Sequence, residues 1–306
     1  MAPKFIVLCD SILLKYDKFI SSINYCSKVF LVSEVLDWAE VFPCMNDERP
    51  PIRFSFGYAD GNGPHAWKTL FPDSNGTNQS PINITTRTVV VVQPSEPLRW
   101  SGYTNGPFSM SIANLESTGN VVLTAIWHNS SRPKIGGGPL KDVYEFHSMV
   151  FHWGHTDEEG SEHTLDYVRY PMELQVIHIR RCRKSPPDIT DNNDTLVILS
   201  FFFQITEPDN PYLDHVVTNL WRIADPGSKV HIPPFPLQWI FPNFEKEYYT
   251  YSGSLTQPPC SEIVTWIVRP QPIAVSSSQI CSEDGPILFN CRPVQLVNDR
   301  EVYYYE

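Results

Sequence analysis

Residues 196–203, Leu-Val-Ile-Leu-Ser-Phe-Phe-Phe, leave this chain few ways to fold. So nearly continuous an apolar run, β-branched and aromatic, predicts a central strand covered on both faces. A strand of that kind needs a wide sheet around it. The sequence supplies candidates in "TVVVVQP" (88–94), "GNVVLTAIWH" (119–128), "HSMVFHWG" (147–154), "MELQVIHIRR" (172–181) and "EIVTWIVR" (262–269). Each is short, rich in β-branched and aromatic residues, and set off by Gly, Pro, Asn or Asp. The 28 prolines suit a sheet-rich fold with many irregular loops. The expected architecture is one large, mainly β domain with a few peripheral helices. The clearest helix is expected in "NPYLDHVVTNLWRIAD" (210–225), where Leu213, Val216, Val217, Leu220 and Trp221 form one stripe.

The first 53 residues read differently. Ile12, Tyr16, Phe19, Ile20 and Ile23 follow a helical period, and "KVFLVSEVLDWAEVF" (28–42) offers a second apolar helix. "PCMNDERPP" (43–51) is a polar, proline-bounded break. The expected division is an N-terminal extension over 1–53, helical where it is periodic, and one domain over 54–306.

A net charge of −11 argues against sequence-independent nucleic-acid binding, which needs clustered Lys and Arg. No apolar run approaches the roughly 18 residues of a membrane span. The seven cysteines (9, 26, 44, 182, 260, 281 and 291) show no CxxC spacing, which disfavours a cysteine zinc site. A Cys281–Cys291 bridge is open but not fixed by sequence. Signals of compartment conflict. Sequons at Asn75, Asn78, Asn83, Asn129 and Asn193 would matter only in the secretory pathway, whereas Asp10 interrupts the signal-like N-terminus and inclines the reading toward the cytoplasm.

"EFHSMVFHWGH" (145–155) places a histidine in a buried strand. A strand offers two ligands to one pocket at i and i+2, because alternate side chains share a face. Two before His152 stands Val150. Three segments, "FHWGHTDEEGSEHTLD" (151–166), "PMELQVIH" (171–178) and "YSGSLTQPPCSEIVTWIV" (251–268), together resemble the alpha-class carbonic anhydrases. "FGYADGNGPHAW" (56–67), "NQSPINI" (78–84), "GGPL" (137–140) and "NCRPVQL" (290–296) carry the resemblance from about residue 54 to the end.

The resemblance implies a mainly β (α+β) fold, a large, twisted, mostly antiparallel central sheet with peripheral short helices and a conical cavity reaching its centre, with three imidazoles holding Zn²⁺ and hydration of CO₂ by zinc-bound hydroxide. It places the three ligand positions on Val150, His152 and Gln175, so one imidazole of three remains. It matches Thr256 and Glu162 to the family's hydroxyl–carboxylate orienting pair and Glu173 to the carboxylate behind the third ligand. The proton-shuttle position falls on Ser117, and Gln257 replaces a small residue. Ile177, Ile198, Leu255, Val264 and Trp266 are implied as the apolar wall. His163 and His178 match structural histidines. His147 is five residues before His152, an odd offset that puts it on the other strand face unless a bulge intervenes. Cys260 matches a position bridged in some secreted members, but the partner position, about Ser74, is not a cysteine.

The expectation is therefore a protein similar to the catalytically inactive carbonic-anhydrase-related proteins, a pseudoenzyme that binds a protein partner and needs no cofactor. The alternative is an active zinc carbonic anhydrase with rearranged ligands, such as His152 with His147. Weak metal-free chemistry in the same pocket is a third reading.

Overall fold

The computed structural model describes residues 56–115, 118–128, 131–154, 156–180, 195–280 and 289–306. The N-terminal extension, its linker, Ser117, His155, Asn129, Asn193 and the cysteines other than Cys260 and Cys291 lie outside these residues.

Fourteen strands follow one another along the described chain: β1 (Asn83–Ile84), β2 (Val90–Val92), β3 (Leu98–Ser101), β4 (Ser109–Asn114), β5 (Val121–Ile126), β6 (Lys134–Gly137), β7 (Leu140–Trp153), β8 (Thr164–Leu165), β9 (Met172–Arg180), β10 (Leu196–Ile205), β11 (Lys229–Ile232), β12 (Tyr248–Gly253), β13 (Val264–Val275) and β14 (Tyr303–Tyr305). Twelve of them form one twisted sheet in the order β11-β4-β5-β7-β9-β10-β13-β12-β14-β2, with β6 pairing β7 and β3. Its ladders are antiparallel except β10–β13 and β14–β2. β1 and β8 make a small parallel pair of their own. The mainly β, mostly antiparallel architecture expected from the sequence is the one observed.

β10 lies at the middle of the sheet and is buried from Leu196 to Phe203. On one face, Met149, Phe151, Leu174, Val176, Leu199 and Phe201 join Leu213, Val216, Phe235 and Phe241 in a continuous apolar core. The other face carries Val150, His152, Glu173, Gln175, Ile177, Ile198 and Ser200. Alternation along each strand and direct opposition across ladders bring these together: Val150 is opposite Gln175, which is opposite Ser200, and His152 is opposite Glu173.

Among the described residues helices are few and short. α1 (Pro64–Leu70) starts at a proline, which has no N–H to lose in a first turn, and buries Trp67. α2 spans Asp214–Val217 and α3 spans Ser277–Ile280. The long helix expected over 210–225 is corrected here. After α2 the chain turns at Thr218–Asn219 and resumes as a 3₁₀ turn, Leu220–Ile223. The change of pitch rotates the stripe, so Ile223 is buried while Trp221 is 72% exposed.

Candidate functional site

The site begins in β7, where the ladder to β9 shifts register between Phe146 and Ser148. His147 is the extra residue of a β-bulge, so the parity that would send it to the opposite face does not hold. Its Nδ1 lies 2.9 Å from Ser148 Oγ. Beyond the bulge the ladder is regular, and Val150 and His152 share the site face.

His152 is 1% exposed. Its Nδ1 lies 2.9 Å from the Asn290 carbonyl. A carbonyl only accepts, so Nδ1 carries the hydrogen. Nε2 then faces Glu162 Oε2 at 3.7 Å. The Gln175 Nε2 donates to Glu162 Oε2 at 2.7 Å and to Glu173 Oε1 at 3.1 Å. One amide thus joins two fully buried carboxylates.

Glu173 is saturated with donors. Oε1 also accepts from Ser200 Oγ at 2.8 Å and lies 2.9 Å from His163 Nδ1. Oε2 accepts the backbone N–H groups of Glu162 and His163. Burial alone would raise this carboxyl, but His163, its hydrogen bonds and His152 outweigh burial and hold it down to about 2. The network continues through His163 Nε2, 2.7 Å from the Tyr251 hydroxyl, which donates to Ser80 Oγ. Ser254 N donates to the same Oγ, and Arg292 donates from its guanidinium to Gln79 Oε1 and the Ser80 carbonyl.

Among the described residues no hydrogen bond joins Thr256 to Glu162, the pair that the resemblance implies. Both residues are buried; Glu162 Oε2 accepts from Gln175 and Oε1 from the backbone N–H of Arg292 at 2.8 Å. Gln257 reaches instead to the Tyr58 hydroxyl at 3.4 Å. Ile177, Ile198 and Trp266 are directly opposite one another across β9, β10 and β13, and Val264 is opposite Leu196. These four and Leu255 are buried. The Trp266 ring lies 4.6 Å from that of His163, under the polar network. His178 is on the other face, against Tyr103 and the Val176 carbonyl; burial drives its pKa down to about 3.

Cys260 and Cys291 are buried free thiols, and burial pushes Cys260 up to about 12. Cys281, the partner left open for Cys291, lies outside the described residues; Cys291 Sγ donates to the Gly160 carbonyl.

The three positions do not fit the family's zinc. Zinc takes His nitrogen, Cys sulfur or Asp/Glu oxygen. Val150 offers no donor atom, and the amide nitrogen of Gln175 is turned toward carboxylates. Among the described residues no group of three or more His, Cys, Asp or Glu is placed to hold a metal ion.

Ser200, Tyr251, Ser80, Asn290 and Arg292 were not picked out from the sequence. Ser200 did leave a signal, as the one polar residue in the run 196–203. Ser80, Asn290 and Arg292 sit in motifs that served only to mark the resemblance.

A family model described as eukaryotic-type carbonic anhydrase matches residues 62–306. Similar proteins include carbonic anhydrase 3 of Homo sapiens, 31% identical over 258 residues, covering 81% of this chain and 96% of that protein. Carbonic anhydrase 1 of Mus musculus is 33% identical over 259 residues, covering 81% and 97%.

Proposed function

This chain belongs to the eukaryotic-type carbonic anhydrase family, and on that premise we propose that it is a member without the zinc centre, acting by binding another protein rather than by hydrating CO₂. One observation carries the reading: the Gln175 amide bridges Glu162 and Glu173, where a third imidazole would stand. With Val150 apolar, the two carboxylates are satisfied by side-chain and backbone hydrogen bonds and ask for no cation. Losing a partner that merely orients a metal ligand costs about 10–100-fold in affinity or activity, and two missing ligands cost far more. A retained scaffold without hydration leaves binding as the use of the fold.

The test is zinc content and CO₂ hydration measured on one preparation of the purified full chain. The expected result is no stoichiometric zinc and hydration at background. One zinc per chain with hydration well above background would sink the proposal.

The bulge at His147 favours one rival, an enzyme with rearranged ligands, because it removes the parity barrier between His147 and His152. On that reading the wild-type chain binds zinc and His147→Ala abolishes the binding. Absence of zinc from the wild type disposes of it.

A further inference from the structure

The chain holds three Asn-Gly pairs, Asn62–Gly63, Asn75–Gly76 and Asn105–Gly106. In such a pair an asparagine side chain is most open to attack by its own backbone, because glycine has no Cβ to shield its nitrogen. The fold treats the three differently. Asn75 is pinned: its Nδ2 donates to the Lys68 carbonyl at 2.6 Å, and the Gly76 N–H donates to the Asp73 carbonyl at 3.1 Å. A Cβ on Gly76 would lie 2.0 Å from Glu262 Oε1, so this backbone has little room to turn. Gly63 is buried at the start of α1, where a Cβ would lie 2.6 Å from the Ala59 carbonyl.

Asn105 and Gly106 are both exposed, in the stretch that leads into β4. Among the described residues the Gly106 N–H has no hydrogen-bond partner, and a Cβ on Gly106 would meet nothing within 4 Å. Asn105 Nδ2 reaches only the Ser131 carbonyl, at 3.5 Å, too long to hold the amide firmly. The Asn105 carbonyl accepts from Trp127 Nε1 at 3.0 Å. That indole bond draws electron density from the Asn105–Gly106 peptide and makes its N–H easier to lose. Asn62 has the same bond, from Trp67, but not the open surroundings.

We propose that Asn105 is a site of spontaneous deamidation in the folded protein, with water as the only co-reactant. The Gly106 nitrogen loses its proton and bonds to Asn105 Cγ. The Cγ–Nδ2 bond breaks, and Nδ2 leaves as ammonia with that proton. The product is a cyclic imide. Water then adds its hydroxyl to one imide carbonyl and its proton to the ring nitrogen as the bond between them breaks. Opening at Cγ leaves aspartate. Opening at the backbone carbonyl leaves isoaspartate, with the main chain running through the former side chain. Either product adds a carboxylate to a chain whose net charge is already −11. Isoaspartate also lengthens the backbone by a methylene shortly before Phe108, whose N–H donates to the Ile126 carbonyl where β4 meets β5. The site does not rest on the loss of the zinc centre and would exist with or without hydration activity.

The experiment incubates the full chain in neutral buffer at body temperature, beside a sample unfolded in urea, and follows all three pairs by peptide mapping with mass spectrometry. The urea sample gives the rate of each pair without the fold. In the folded chain Asn105 should keep its urea rate to within about tenfold and give both products, while Asn62 and Asn75 slow by more than about tenfold, because their bonds and packing must open first. Gly106→Ala should slow conversion at Asn105 by about tenfold, since a Cβ shields the nitrogen. The space around Gly106 and its φ, outside the left-handed region, let that variant fold. Asn105 slowed by the fold as much as Asn62 or Asn75 overturns the proposal. So does a Gly106→Ala chain that converts at the parent rate.

Discussion

A single amide decides what the centre of this protein is. Gln175 donates one N–H to each of two buried carboxylates, and hydrogen bonds to ionised groups are the strong ones. Gln175→Leu removes both donors while keeping the side chain's bulk. It should cost about 3 kcal/mol of stability, read from urea denaturation, because Glu162 and Glu173 stay buried with fewer partners. A loss under about 1 kcal/mol would mean the carboxylates do not depend on this amide. Acid should weaken the fold through two groups. His178 is held near 3 in the folded chain against an ordinary 6.5, so the unfolded chain binds its proton first as pH falls. The stability due to neutral His178 is complete above about pH 6.5 and is lost progressively toward pH 3. Glu173, held near 2 against 4.5, adds its own loss below about pH 4.5. Between those limits the wild type should lose up to about 1.4 kcal/mol per pH unit from His178, and His178→Gln should flatten that slope.

At the scale of elements, the site depends on two backbone irregularities. One is the bulge at His147, which resets β7 so that Ser148, Val150 and His152 share the site face. The other is the close approach of Gly160 to Pro171. A Cβ at Gly160 would run into the Pro171 carbonyl, and that is backbone, which cannot swing aside. Gly160 immediately precedes the stretch whose Glu162 and His163 N–H groups hold Glu173. Gly160→Ala should therefore destabilise by about 3 kcal/mol and lower the thermal midpoint. An unchanged midpoint would mean this turn relaxes without disturbing the network. The Leu213–Ile223 segment shows the limit of periodicity: its apolar spacing was legible, but the break at Thr218–Asn219 was not, and Trp221 turned outward.

For the whole molecule, the sheet brings together on one face the three residues that the resemblance matches to zinc ligands. Val150 is opposite Gln175 and two residues from His152 on one face, so Val150→His with Gln175→His restores three imidazoles to adjacent strands. The double variant should take up one zinc per chain and raise CO₂ hydration above the parent by roughly two orders of magnitude or more, measured by metal analysis and stopped-flow assay. Failure to bind zinc in a folded double variant would mean that more than these two side chains separates the site from a zinc centre. The sequence by itself determined the central strand and the mainly β class, which follow from apolar runs, and carried the family in its local motifs. Only the tertiary structure decided that Gln175 bridges two carboxylates, that Thr256 is left out of the pair with Glu162, and that His147 sits in a bulge. Those outcomes turn on which donors reach which oxygens across strands distant in sequence, and hydrogen bonds between such strands are fixed by register and packing rather than by local pattern.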